Sequence, residues 1–148
     1  MKIANTFITV ADDCPAPHAA PPPVRDGVPS LARLHYDLLT TQPYAYDIDA
    51  LNFKVWRLRN GVSEADADQH RAAFFSKGHP CMRASPLTKR YGFGAHYDGA
   101  GKIAVYPVES AAYDELLNAP GNKVEKAMRN KRAPTSAQPA GARPRLRP

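Results

Sequence analysis

One cysteine, two histidines and a run of cations crowd into the segment F-F-S-K-G-H-P-C-M-R-A-S-P-L-T-K-R-Y-G-F-G-A-H-Y-D-G-A-G-K-I-A-V-Y-P-V-E-S, Phe74 to Ser110. Three chemistries are open to these residue types. The first is metal binding. Zinc takes three or four N or S ligands at short spacings. His79-Pro80-Cys81 offers one His-x-Cys step, with His96 far along the chain and a rigid proline between the first two. No metal and no cofactor is therefore expected. The second is nucleophilic catalysis. The thiolate is the reactive form of cysteine, and cations beside it favour that form. Arg83, Lys89 and Arg90 could do so for Cys81, with His96 as its base. A buried, inert cysteine is the structural alternative.

The third chemistry is anion binding, and the residues favour it. Ser85 followed by Pro86 is a helix start, with serine at the N-cap and proline at the first helical position. Free backbone N–H groups and the helix dipole at such a start attract an anion. Arg83 lies just before it, and Lys89 and Arg90 lie one turn after it. With His96 on the following strand they make the expected ligand-binding set: Arg83, Ser85, Lys89, Arg90 and His96. Three functions follow as alternatives. The first is a binding or interaction domain that holds an anionic small ligand or partner group at 83–96. The second is an enzyme using Cys81 and His96. The third is a nucleic-acid-associated protein acting through a basic C-terminal end.

These residues need elements to position them. Tyr91–Tyr97 and Lys102–Val108 read as a hairpin around Asp98-Gly99-Ala100-Gly101. Period two puts Tyr91, Phe93 and Tyr97 on one face, and Gly92, Gly94, His96 and Asp98 on the other. Two glycines on one strand face imply close packing by another element or room for a ligand. Upstream, Ile3–Val10 reads as a strand covered on both faces. The Pro-rich stretch 11–29 is extended and outside any ladder. Ser30 caps a helix with a Leu31, Leu34, Leu38 and Leu39 stripe, which ends before Pro43. His35 on that helix is expected as a boundary histidine, and Tyr44 and Tyr46 as core. Leu51–Arg59 alternates like a strand and is followed by an Asn60-Gly61 turn. Ser63 with Asp66 starts a helix to about Ser76. Ser110 caps a short helix, and Asn122 with Glu125 begins a last one carrying Val124, Ala127 and Met128.

The order β-α-β-α-β-β-α-α predicts one α+β domain over 1–132. It should hold a mostly antiparallel sheet of about four strands and three to four helices. From Ala133 the chain has too little apolar surface to order itself, so 133–148 is expected as a disordered Pro/Arg-rich tail. No Gly-rich dinucleotide or Walker loop follows a strand. The 148 residues carry a net charge of +6 and are 43% apolar. Eight of the twenty basic residues, against one acid, lie from Pro120 onward, so that end carries +7 and the rest −1. Polyanion attraction is thus expected of the tail and not of the body. Mean hydropathy is −0.48. No signal-peptide or membrane-length apolar run is present, so a cytosolic protein with free thiols and no membrane partner is expected.

The segments N-T-F-I-T-V-A-D-D-C-P, P-Y at Tyr44, the 74–98 stretch and K-I-A-V-Y-P-V-E-S together resemble a family of small bacterial proteins filed as a domain of unknown function. The likeness spans about Asn5 to Arg132. The family pattern has Gln where this chain has His79, which further weakens a metal role there, and Trp where it has Phe93. The resemblance implies a bacterial cytosolic protein and supplies no activity, cofactor or catalytic residue.

Overall fold

A computed structural model of the protein describes residues 2–131. The expected tail at 133–148 lies outside the described residues. Within them the order is β1 (Thr6–Thr9), α1 (Leu31–Thr41), α2 (Ile48–Asn60), α3 (Ala67–Phe75), α4 (Pro86–Arg90), β2 (Phe93–Tyr97), β3 (Ile103–Pro107), α5 (Ala111–Asn118) and β4 (Lys123–Lys126). Short 3₁₀ turns at Glu64–Asp66 and Met82–Ala84 precede α3 and α4. The architecture is α+β, with five helices where three to four were expected.

The sheet order is β3-β2-β1-β4. The hairpin β2/β3 pairs antiparallel, with Ala95 opposite Val105. β1 also runs antiparallel to β2, with Phe7 opposite His96. β4 pairs parallel with β1, so the sheet is mixed. Here the expected last helix is corrected. Val124, Ala127 and Met128 have helical spacing, but β1 has a free edge whose backbone groups need partners. Lys123 N–H donates to Asn5 C=O (2.8 Å) and Ala127 N–H donates to Thr9 C=O (2.9 Å) at the two ends of that pairing.

The expected strand at Leu51–Arg59 is corrected as well, because it lies within α2. Asp47 caps the helix by accepting from Ala50 N–H (2.8 Å), and Gly61 closes it in the left-handed conformation at φ 67°. Ile48, Leu51 and Val55 form its core face at i, i+3, i+7. The alternation Leu51, Phe53, Val55 arose because Phe53 is buried on a second face, among the rings of Trp56, Phe74 and Phe75. The caps read from sequence hold elsewhere. Ser30 accepts from Arg33 N–H, Ser63 from Asp66 N–H, and Ser110 from Tyr113 N–H.

Helices cover both faces of the sheet. Ile8, Ala95, Tyr97 and Ile103 meet Leu34, Leu39, Leu51, Val55 and Met82 on one side. On the other, α5 lays Tyr113 edge-on against Phe7, with centroids 4.9 Å apart at 76°. The absent side chain of Gly94 makes this possible. A Cβ there would sit 2.5 Å from Tyr113 Cε2 and 2.7 Å from Phe7 Cζ. The glycine face of β2 is therefore closed by packing. Gly92, at φ 81°, lets the carbonyl of His18 pass 2.9 Å from where a Cβ would stand. The Pro-rich segment is thereby held against the sheet, with Ala20 N–H donating to Tyr91 C=O (2.9 Å).

Candidate functional site

α2 has three working faces. Beyond its core face, Asn52, Val55, Trp56 and Arg59 recur at i, i+3, i+4, i+7 and line a cavity of about 380 Å³. α1 contributes Leu31 and His35 to the cavity, and the chain entering α4 contributes His79, Cys81 and Ser85. Two hydrogen bonds hold that chain in place. Asn52 Nδ2 donates to Pro80 C=O (2.9 Å), and His79 Nε2 donates to Phe74 C=O (2.7 Å) while its ring stacks on Phe74 at 3.8 Å and 9°.

Inside, His35 and Ser85 form a buried pair. Ser85 Oγ accepts from Leu87 N–H (3.2 Å) and shares a hydrogen bond with His35 Nδ1 (2.8 Å). The buried Nε2 of His35 has no hydrogen-bond partner among the described residues. Burial of the ring lowers the His35 pKa to about 4, so it is neutral at physiological pH. Among the described residues no aspartate or glutamate lines the cavity. The polar contribution is cationic or neutral: Arg59 and Asn60, both exposed, with the His35 and His79 rings.

The residues expected from sequence fall in three places. Ser85 and half-buried Cys81 lie in the cavity. Arg83 turns to the sheet edge. Its Nε donates to Lys126 C=O (2.8 Å), and its carbonyl accepts from Met128 N–H (2.8 Å). Lys89 and Arg90 end α4, where Lys89 C=O accepts from Asn130 Nδ2 (2.7 Å). The amides at the start of α4 are engaged within the turn. Leu87 N–H goes to Ser85 Oγ, while Thr88 and Lys89 N–H go to Ser85 C=O (3.2 and 3.0 Å).

His96 lies on the opposite face of the sheet from Cys81. Cys81 packs against the Ile8–Ala95–Tyr97 side, and His96 follows Gly94 on the Phe7 side. His96 Nε2 donates to Asn122 Oδ1 (3.3 Å), and Nδ1 accepts from Tyr44 O–H (2.9 Å), which in turn accepts from Tyr106 O–H (2.7 Å). Asn122 Nδ2 donates to Leu116 C=O, which orients that amide. Tyr44 stands in the left-handed region at φ 59°. Burial, then the bond to Tyr106, pushes its hydroxyl pKa up.

Sequence reasoning missed His35, Trp56 and Arg59 as site residues. The signal was present in the i, i+3, i+4, i+7 recurrence along 52–59, and the strand assignment concealed it. Among the described residues no cluster of three or more His, Cys, Asp or Glu is placed to hold a metal. No helix among them is long and apolar enough to cross a membrane.

Neither the curated proteins nor the solved structures hold a match to this chain. One family model does match, over residues 1–133, a span that takes in every element described above. On that match the chain belongs to the family described as "Family of unknown function (DUF6157)".

Proposed function

We propose that the protein binds a small ligand with an apolar body and one anionic group in the cavity between α1, α2 and the 79–85 chain. One observation carries this reading. A cavity of about 380 Å³ is lined by the rings of Trp56, Phe74 and His79 and by Arg59, and among the described residues no carboxylate lines it. Its volume falls within the range typical of small-molecule sites. Arg59 offers the fork geometry that suits a carboxylate. The anion expected at 83–96 thus moves to the other side of Ser85, while Arg83, Lys89, Arg90 and His96 stay outside the pocket.

The enzyme alternative through Cys81 and His96 has no geometric support, because the sheet separates the two. The polyanion alternative rests on the basic C-terminal end, of which 133–148 lies outside the described residues. A thermal-shift comparison of apolar acids with their matching alcohols tests the binding reading. A ligand at 100 times its Kd adds about 2.7 kcal/mol of stability. Acids are expected to raise the Tm and alcohols to do so less. Arg59→Gln should abolish the difference, and Arg83→Ala and Arg90→Ala should leave it intact. A flat response to every acid refutes the proposal.

A further inference from the structure

We infer that the ligand is a planar aromatic monocarboxylate whose acid group is joined to its ring directly or through one or two atoms. This rests on the binding proposal above and names the class of molecule for the same site. The cavity has a wall of rings. Trp56, Phe74 and His79 line it, and the same three line a second cavity of about 340 Å³.

Its rings are held in orientation. Phe53 stacks parallel to Trp56 at 5.9 Å and 10°, and Phe74 lies against Trp56 at 5.6 Å and 49°. His79 is fixed to Phe74 both by stacking and by its bond to the Phe74 carbonyl. Rings already ordered in the free protein favour a planar ligand, which gains ring–ring contact without ordering the wall first. A flexible alkyl chain would gain area alone and would lose rotamer freedom on entry.

The helix sets the distance from ring to charge. Trp56 and Arg59 are three residues apart on α2, so they are neighbours on one face, separated by about 4.5 Å along the axis. A ligand ring against Trp56 brings a carboxylate to Arg59 only when the acid lies close to the ring.

Calorimetric titration of the full chain tests this with three probes: 2-naphthoate, octanoate and 2-naphthalenemethanol. The first is expected to bind about tenfold tighter than octanoate, the scale of one aromatic contact. Trp56→Leu should erase that preference, Trp56→Phe should keep most of it, and Phe74→Leu gives a second test should Trp56→Leu not fold. Octanoate binding as tightly as 2-naphthoate, with Arg59→Gln weakening both, overturns the aromatic inference and leaves the anionic-ligand proposal standing. The alcohol matching 2-naphthoate, or no acid binding a folded protein, overturns both.

Discussion

At the scale of single residues, His35 has the most perturbed environment in the cavity. Its ring is neutral because burial opposes the charged form and lowers its pKa to about 4. The unfolded chain takes up that proton below the ordinary value of 6.5. The folded state therefore binds fewer protons between 6.5 and 4, and stability is lost as pH falls through that window. The full loss is about 3 kcal/mol, at roughly 1.4 kcal/mol per unit. Urea unfolding at pH 6.5, 5.5 and 4.5 should show this slope in the native protein and lose it in His35→Gln. Parallel loss of stability in the two proteins would count against it. This residue was legible in the sequence only as a boundary histidine on a leucine-rich helix. Its burial depends on Ser85, fifty positions away, and no local pattern connects them. Ser85 itself was legible, because Ser-Pro is a cap signal, but its hydroxyl serves His35 and Leu87 rather than an incoming anion.

At the scale of elements, local signals were read well where capping chemistry decided the outcome and poorly where tertiary pairing did. The hairpin and the four capped helix starts depend on residues within one turn of each other, so their signals are local. β4 depends on the bare edge of β1, more than one hundred residues earlier, and its helical spacing misled for that reason. α2 was lost to a different cause. A helix buried on more than one face breaks the simple apolar stripe, and Phe53 filled the gap to imitate alternation. The cavity face of α2 went with it. For β2 the closed glycine face makes a direct prediction. Gly94→Ala must push a methyl into the Phe7–Tyr113 contact and should cost about 1–3 kcal/mol, the range for overpacked cores. Gly99→Ala is the control, because its Cβ would meet only Asn5 Oδ1 at 3.5 Å, and it should be near neutral. Chemical denaturation of both variants checks the pair, and equal stabilities would mean that the ring contact yields without cost.

At the scale of the molecule, the parallel strand and the chain beyond it are fastened by two adjacent acids near the other end of the sequence. Asp12 pairs with Lys126 Nζ (3.2 Å). Asp13 accepts from the backbone N–H of Asn130 (2.9 Å) and of Lys131 (3.0 Å), and from Asn130 Nδ2 (3.2 Å). Asn130 also reaches Lys89 C=O, so the clasp joins β1's exit, the end of α4 and the chain after β4. These amide bonds lower the Asp13 pKa to about 2 from 3.8. A carboxylate whose pKa is depressed on folding contributes stability that is present above the unfolded value and is lost as pH falls through the folded one. The clasp should therefore hold at neutral pH and open between about pH 4 and pH 2. Asp13 is half-buried and its bonds run to Asn130 and Lys131, so the opening is local and leaves the sheet's β1–β2–β3 ladder paired. Amide hydrogen exchange at Asn130 and Lys131 reads it directly. Both amides should be protected at neutral pH in the native protein and exchange freely at the same pH in Asp13→Ala, while the His96 and Ala104 amides of the hairpin stay protected in both. Asp13→Asn should give intermediate protection that no longer changes between pH 4 and pH 2, because its amide oxygen still accepts one bond and carries no proton to gain. Unchanged exchange at Asn130 and Lys131 in Asp13→Ala would mean that β4 alone, through its pairing with Thr6–Thr9, holds this end of the chain.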